Sequence, residues 1–442
     1  MPAGDPGGRY AALMDLLPLP TGAPRRLLVG FSGGRDSTAL LHRLATLPDA
    51  PWTSLRAVHV DHGLHCESAA WADHCRTAAA ALGVALAVHR VTVTRRGNGP
   101  EAAARAARYA AFAAERAADE CLVLAHHRDD QAETLLLALL RGSGERGLSA
   151  MRPYSVDARG PIWRPLLDTA ADAVARYADA HALRFIADPS NADTALSRNA
   201  LRHELLPLLR RRWPQADAAL AHSAHALAEA DTLLEAQAQA DLAPLLGLEP
   251  SVLDAVRLRA LPPARAQRAL RAWAALHGAS LSRDALGRVL GEWRDASPGR
   301  ALRHALGPHW LRQWQGRLWL TARSPPAPTP PCVWDGRAPL LLADGGAMHL
   351  LGTDGFERPL ALAPRAQAPA SMRTHPQRPA RRLQSLFAGL GLPPWRRDDV
   401  PLLVVPGDRL VAVADLAYDA EFDAWLRDRN ARLLWQPGAR AG

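Results

Sequence analysis

The sequence predicts an α/β protein that opens with a doubly wound parallel sheet and continues with a helical domain and a small α+β C-terminal domain. Short apolar runs alternate with alanine-rich helical stretches through the first half, as in βαβ units. After Trp213, Ala, Leu, Arg and Glu recur at helical spacing. The predicted parts are a catalytic domain, a middle domain, a proline-rich linker and a C-terminal domain, with bounds 1–212, 213–323, 324–331 and 332–442.

Four apolar runs of the first half are the predicted strands, and alanine-rich stretches between them are the predicted helices. Ligands of such sheets bind beyond the carboxyl ends of the strands, so polar residues that follow a strand are candidates for the site. The predicted strands are 27–31, 55–60, 84–93 and 121–125, and the predicted helices are 37–47, 68–82, 101–118 and one that begins near Asp130.

The later elements are predicted with less detail. Helical spacing continues to about Trp293, most clearly over 218–240. The sequence SPPAPTPP at 324–331 is dense in proline and predicts an extended, semi-rigid linker. Beyond it, short apolar runs such as 402–405 and 410–413 are broken by Gly and Pro, which predicts a small mixed α and β domain.

Composition favours a basic cytoplasmic protein. The formal net charge of the 442 residues is +9, which favours a polyanionic partner such as nucleic acid. All 53 basic side chains are Arg, so no lysine of the protein can act as a nucleophile or bind phosphate. The four cysteines are too few for a disulfide framework, and no apolar stretch approaches the ~20 residues that span a bilayer, so no membrane partner is expected.

The sharpest motif is LLVGFSGGRDSTALL at 27–41, where a predicted strand enters a glycine turn and then a helix. Glycines allow a tight turn, and the N-terminus of a helix offers N–H groups to an anion. A glycine turn with a capped helix is the alternative interpretation. The run is neither a P-loop nor GxGxxG, but SGGRDS matches the SGGxDS pyrophosphate loop of enzymes that split ATP between the α and β phosphates. The candidate ATP-binding residues are Ser32, Gly33, Gly34, Arg35, Asp36 and Ser37, with Asp36 also a ligand of Mg²⁺.

Two further polar groups follow predicted strands. AVHVDHGL places His59, Asp61 and His62 where they can line an adenosine pocket, although metal binding or surface polarity are alternatives and the spacing does not favour zinc. LAHHRDDQAET gathers two histidines and three carboxylates within eight residues, including His126, which can bind Mg²⁺, orient an amine or move a proton. Acidic groups in a first helical turn can also act only on the helix dipole.

Arginines of the stretch SRNALRHELLPLLRRRWP at 197–214 have two interpretations. Arg198 and Arg202 lie one helical turn apart, and Arg210, Arg211 and Arg212 form a basic run. The run is either a solvated helix face or a phosphate contact, and Arg198 can stabilise charge on a transferring phosphate.

Taken together, these motifs resemble the tRNA(Ile)-lysidine synthetase family, which has the adenine nucleotide alpha hydrolase-like fold. SGGRDS, VHVDHGL, EAAARAARY, LAHHRDDQAET, DPSN and RNALRHELLP occur in the order seen in that family, and PPWRRDDVPLLVVPGDRLVAV resembles its C-terminal domain. The resemblance therefore covers nearly the whole chain.

The resemblance implies ATP-dependent ligation of free L-lysine to C2 of the wobble cytidine of tRNA(Ile) with a CAU anticodon, through an adenylated cytidine. It implies that residues 32–37 bind ATP together with His59 and His126, that Asp130 and Glu133 bind the ammonium groups of lysine, and that Arg198 assists adenylation. Asp36, Asp130 and Arg198 are then the catalytic residues. A homodimer is left open. The expected tRNA-binding residues are Arg210, Arg211, Arg212, Arg381, Arg382, Arg396 and Arg397, the last four from a segment with a local excess of arginine.

The chain departs from the family pattern at several positions, and two other functions compete with the one that the resemblance implies. The Arg and Glu that commonly follow RPLL are absent from LLDTAADAV at 166–174, Arg35 stands where relatives are usually apolar, and ARRLQSLF at 380–387 carries arginines in place of lysines. A tRNA thiolase on the same loop needs cysteine pairs, and no C-x-x-C is present. The rival from another class is a non-catalytic RNA-binding protein.

Overall fold

A computed structural model describes most of the chain, which folds into two compact units, residues 1–234 and 235–442. The predicted domain boundaries at 212 and 331 stay predictions. No helix among the described residues combines the length and apolar character that crossing a bilayer requires. The described residues are 17–63, 65–92, 100–157, 159–189, 193–195, 197–247, 249–279, 281, 283–295, 302–323, 329–406 and 409–438.

The first unit contains a six-stranded sheet in the order β3-β2-β1-β4-β6-β5. Five strands are parallel, and β5 joins the edge as the antiparallel partner of β6. The four predicted strands are confirmed, although the third is shorter than predicted, and the β5–β6 hairpin was not predicted. The strands are β1 (Arg26–Gly30), β2 (Ser54–Asp61), β3 (Ala85–Arg90), β4 (Glu120–Val123), β5 (Tyr154–Asp157) and β6 (Gly160–Trp163).

Helices cover both faces of this sheet, as a doubly wound fold requires. Leu27 and Val29 of β1 enter one core and Leu28 enters the other, because successive side chains of a strand point to opposite faces. The predicted helices of this half are confirmed within a few residues at each end. The helices are α1 (Arg35–Thr46), α2 (Ser68–Ala81), α3 (Pro100–Glu115), α4 (Arg128–Leu140), α5 (Glu145–Leu148) and α6 (Ala171–Ala180).

A helical segment with a local irregularity follows the sheet. It consists of α7 (Ser197–Ala200), a π-helical turn (Leu201–Leu205) and α8 (Leu206–Arg212). π-Helical turns are rare in proteins, and those that occur are often found at functional sites. Here the segment carries Arg198 and Arg202 to the same carboxylate of α4.

The middle of the chain is helical as predicted, but it also contains a sheet that was not predicted. The helices are α9 (Ala216–Leu242), α10 (Ala255–Ala260), α11 (Pro263–Leu276) and α12 (Arg283–Asp295). The strands β7 (Val252–Asp254), β8 (Leu302–Leu306), β9 (His309–Trp314) and β10 (Arg317–Ala322) form an antiparallel sheet in the order β7-β10-β9-β8. Buried and half-buried residues alternate along β9 over HWLRQW. This strand pattern was missed in the sequence because Arg and Leu are also common in helices.

The C-terminal part is α+β, as predicted. A five-stranded sheet has the order β11-β14-β17-β18-β19, and a three-stranded sheet has the order β12-β13-β20. The strands are β11 (Cys332–Trp334), β12 (Leu340–Leu341), β13 (Ala347–Leu351), β14 (Leu360–Ala363), β15 (Ser371–Met372), β16 (Arg381–Arg382), β17 (Leu402–Val404), β18 (Leu410–Val413), β19 (Ala417–Tyr418) and β20 (Arg432–Gln436), and the helices are α13 (Leu383–Gly389) and α14 (Ala420–Asp428). Of the predicted linker, residues 324–328 lie outside the described residues.

Candidate functional site

The loop between β1 and α1 has the tight geometry that its two glycines predict. Gly33 has φ +81°, and a Cβ there would lie 2.5 Å from Ile186 Cδ1 and 2.7 Å from Cys75 Sγ. The Ile186 N–H also donates to the Gly33 carbonyl at 2.9 Å. The loop is therefore packed against neighbouring segments at a position where only glycine fits.

The hydroxyl groups of the loop are bonded within the loop itself. Ser32 Oγ lies 2.9 Å from Ser37 Oγ and accepts from the Gly34 N–H at 3.3 Å. Ser37 and Thr38 hydroxyls donate to the Gly34 carbonyl at 3.0 and 2.9 Å. These bonds fix the backbone turn at the N-terminus of α1, where a helix favours bound anions.

Asp36 joins this loop to the acidic helix α4. Its Oδ2 lies 3.6 Å from His127 Nε2, and its Oδ1 lies 3.4 Å from Arg35 Nε. Burial raises the pKa of Asp36, but the interaction with His127 and the charge of Arg35 outweigh burial, so the net pKa of Asp36 lies below the ordinary value. Arg35 is 40% exposed and its resolved partner is this carboxylate.

The carboxylate of Asp36 fits a magnesium ion that is also bound by nucleotide phosphates. Mg²⁺ in nucleotide sites takes one or two carboxylates and completes its shell with phosphates and water. Asp36 is ionised and 36% exposed in the first turn of α1. No group of three or more His, Cys, Asp or Glu able to hold a metal by itself occurs among the described residues.

Helix α4 begins at Arg128, so the carboxylates lie in its first turns. The His127 N–H donates to Asp130 Oδ2 at 3.0 Å in a capping box. Asp129 accepts from the Ala171 N–H and from Arg210, so it links α4 to other elements. His126 precedes the N-cap residue His127 and lies outside the helix.

Glu133 is the most buried carboxylate of the site and is bonded by two arginines. Its side chain is 0% exposed. Arg198 Nε donates to it at 2.9 Å, and Arg202 donates from Nε at 2.6 Å and from Nη2 at 3.1 Å. Arg202 Nη2 also donates to Asp130 Oδ1 at 3.1 Å. A continuous set of polar contacts thus runs from the nucleotide loop through His127 and Asp130 to both arginines.

Burial shapes the charges of this set. The pKa of Asp130 is raised by burial but lowered further by His127, His126 and Arg198, so its net pKa lies below the ordinary value. The pKa of His127 is lowered by burial, but Asp36, Asp130 and Asp129 reverse this and raise it. Burial lowers the pKa of His126, so its imidazole is neutral. Asp130 is therefore an anion, and the carboxylates around His127 favour the protonated form of its imidazole.

The two predicted nucleotide-binding histidines differ in how available they are. His59 is buried, and its Nδ1 lies 2.9 Å from the Phe31 carbonyl and 3.4 Å from Cys75 Sγ. It therefore fixes the end of β1. Among the described residues, none forms a hydrogen bond with the buried Nδ1 of His126, which leaves that atom available to a ligand.

The structure places the expected tRNA-binding arginines in different environments. Arg210 donates to Asp217 and Asp129, whereas Arg211 and Arg212 are exposed. Arg396 forms a bidentate pair with Glu249 and lies over the Trp319 ring. Arg397 donates to the Leu392 carbonyl, while Arg381 and Arg382 are exposed. Ion pairing thus reduces the charge that Arg210 and Arg396 offer to RNA.

His127 and Arg202 lie within motifs singled out from the sequence, but neither was given an individual role there. His127 connects Asp36 with Asp130, and Arg202 connects Asp130 with Glu133. The i, i+4 spacing of Arg198 and Arg202 was the available signal for Arg202.

Three family models match the chain. A PP-loop domain covers residues 13–209, a TilS substrate binding domain covers 253–319, and a TilS substrate C-terminal domain covers 360–435. The matched PP-loop domain contains the whole polar set described above. Because the matched domain is an ATP-binding PP-loop domain, ATP is the nucleotide substrate.

Curated relatives match over almost their entire length. A tRNA(Ile)-lysidine synthase of Xanthomonas campestris pv. campestris (strain 8004) is 44% identical over 431 residues, which are 96% of this chain and 98% of that protein. One from Xylella fastidiosa (strain Temecula1) is 42% identical over 423 residues, 93% of this chain and 95% of that protein. By identity and coverage, the chain belongs to the tRNA(Ile)-lysidine synthase family.

Proposed function

We propose that this protein ligates free L-lysine to C2 of the wobble cytidine in tRNA(Ile) with a CAU anticodon, using ATP. The cytidine O2 attacks the α-phosphorus of ATP and pyrophosphate leaves. The side-chain amine of lysine then attacks C2 and loses a proton. The bond between C2 and O2 breaks, and AMP leaves with the former cytidine O2 as one of its phosphate oxygens. The observation that supports this most is the set of polar contacts between the SGGRDS loop and the Asp130–Glu133 carboxylates.

The first half-reaction needs a positive environment for the phosphates. The loop at 32–37 offers the N-terminus of α1, and Arg198 lies close enough to His126 for its charge to act on that imidazole. Magnesium held by Asp36 would neutralise negative charge on the triphosphate. Nδ1 of the neutral His126, which has no hydrogen-bond partner among the described residues, is suited to a hydrogen bond with the nucleotide.

The second half-reaction needs negative charge for a cationic amino acid. Asp130, with a pKa below the ordinary value, and Glu133 supply two carboxylates one turn apart on α4. The tRNA is bound in part by exposed arginines of the C-terminal part, among which Arg381 and Arg382 have no carboxylate partner within the described residues. Because ATP, tRNA and free lysine are cytoplasmic, we place the reaction there.

The test is nucleoside analysis by mass spectrometry after incubation of the protein with ATP, labelled lysine and bulk tRNA. We expect AMP and pyrophosphate formation that requires both lysine and tRNA, and lysine label in one modified cytidine. No AMP formation with any tRNA pool would favour the non-catalytic RNA-binding protein. A homodimer stays a prediction that light scattering can check.

A further inference from the structure

The carboxylates proposed to bind lysine are occupied by guanidinium groups in this structure. Glu133 receives three hydrogen bonds from Arg198 and Arg202, and Asp130 receives one from Arg202. Because the Glu133 side chain is 0% exposed, an ammonium group cannot reach it while both arginines stay in place. Lysine and arginine therefore compete for the same oxygen atoms.

A buried carboxylate needs a cationic partner at every stage. Removing one partner from a buried ion pair leaves an uncompensated charge and is strongly destabilising. Exchange of a guanidinium for a substrate ammonium keeps Glu133 paired. Such an exchange requires that the departing arginine find another anion nearby.

Arg202 is the arginine best placed to leave. Its side chain is 37% exposed, against 24% for Arg198, so it is the more accessible of the two groups that cover Glu133. Its charge also interacts with Asp36 of the nucleotide loop. Arginine binds phosphate oxygens in a bidentate manner, and a triphosphate at this loop would carry more negative charge than the two carboxylates that Arg202 contacts, Asp130 and Glu133.

We propose that Arg202 occupies the ammonium site of the nucleotide-free enzyme and turns to the triphosphate when ATP binds, so that ATP opens the lysine site. Arg202 is thus a nucleotide-binding and positioning residue that enforces binding of ATP before lysine. This inference rests on the proposed function, since it takes Asp130 and Glu133 as the lysine-binding residues.

The test is calorimetric titration of lysine into the full-length protein, with and without magnesium and an ATP analogue that carries a methylene group between the α and β phosphorus atoms. We expect lysine to bind at least about tenfold more tightly with the analogue, and the analogue to bind more tightly with lysine by the same factor, because coupling is reciprocal. Equal lysine affinity in both conditions would overturn the inference but leave the proposed function intact. No lysine binding in either condition would overturn both.

The variant Arg202→Gln separates this exchange from a purely structural role. We expect it to bind lysine without nucleotide about as tightly as the unaltered protein does with the analogue, and to bind the analogue more weakly. Arg176→Gln, on the exposed face of α6, is the matched control and should keep the full coupling. Full coupling in Arg202→Gln would overturn the inference. If Arg202→Gln melts early, Arg202→Lys preserves the charge and should retain part of the coupling.

Discussion

Gly33 and Asp36 determine two separate properties of the nucleotide loop, its shape and its charge. Gly33 has a left-handed backbone conformation, and a Cβ atom added to it would lie within 3 Å of the Ile186 and Cys75 side chains. Asp36 carries the one carboxylate of the SGGRDS run and contacts His127. Substitutions at the two positions should therefore fail in different ways.

Gly33→Ala should destabilise the fold and weaken ATP binding together. The left-handed backbone costs a side-chain-bearing residue about 1–2 kcal/mol, and the contacts with Ile186 and Cys75 add to that. Gly34→Ala is the matched control, because Gly34 has φ −71° and the nearest atom to its added Cβ is Ser32 Oγ at 3.4 Å. Urea denaturation measures the difference, and equal losses in the two variants would contradict this account.

Asp36→Ala should abolish turnover and largely spare tRNA binding. We expect AMP formation to fall at least about 100-fold, since a charged group beside the reacting phosphates is lost. The dissociation constant for tRNA, measured by filter binding, should change less than about twofold because that affinity comes mainly from arginine contacts. Retained turnover would remove magnesium at Asp36 from the mechanism.

Charged side chains join three strands of the sheet to α3, and one of them, Glu120, is fully buried. Glu120 at the start of β4 accepts from Arg56 of β2 at 2.6 and 2.9 Å and from the Ala117 N–H at 2.8 Å. Glu115 at the end of α3 bonds both Arg56 and His89 of β3. One helix and three strands therefore share this network.

Glu120→Gln should lower the free energy of unfolding by about 2 kcal/mol at pH 7, because a charged hydrogen bond in a fully buried position is lost. Arg56 lowers the pKa of Glu120 below 4.5, against the opposing effect of burial. A lowered folded-state pKa gives stability that is present above pH 4.5 and is lost as the pH falls through the folded-state pKa. The acid loss of stability should thus be smaller in Glu120→Gln.

Asp119→Asn provides the control for that experiment. Asp119 pairs with Arg26 at 3.0 Å, but the two side chains are 63% and 46% exposed. Such exposed pairs contribute about 0.5 kcal/mol or less. A loss in Asp119→Asn as large as that in Glu120→Gln would show that burial of the network is not what stabilises the sheet.

The basic charge of the whole molecule consists of paired and unpaired arginines, and only the unpaired ones are expected to bind RNA strongly. In the segment 364–400, Arg365 pairs with Asp398 and Arg396 with Glu249. The exposed arginines of this segment without a carboxylate partner among the described residues are Arg373, Arg378, Arg381 and Arg382. Net charge therefore overstates the number of arginines that can contact phosphate.

Joint substitution of Arg381 and Arg382 by Gln should weaken tRNA binding and make it less sensitive to salt. Each phosphate contact contributes roughly 0.7–0.9 to the magnitude of the slope of log affinity against log salt, so loss of two contacts should reduce that magnitude by about 1.4 to 1.8. Arg396→Gln should leave the slope unchanged and lower the melting temperature, because it breaks the contacts with Glu249 and Trp319. A reduced salt dependence in Arg396→Gln, with an unchanged one in the double variant, would contradict this division between RNA-binding and structural arginines.

The sequence by itself determined the parallel sheet, the nucleotide loop and the family. Strand and helix periodicity, together with a turn motif that has one free position, depend on neighbours within a few residues, so local pattern suffices for them. The same reasoning failed for β8, β9 and β10, because the alternation in HWLRQW is short and rich in residues that also favour helices.

Only the tertiary structure decided which charges pair. Glu133 and Arg202 are 69 residues apart, and Arg396 and Glu249 are 147 apart. No local pattern encodes such contacts, since they depend on how elements pack and on which carboxylates lose access to water. The sequence therefore placed acidic and basic residues at the site, whereas packing decided that Arg202 covers Glu133 and that Arg396 is held in an ion pair.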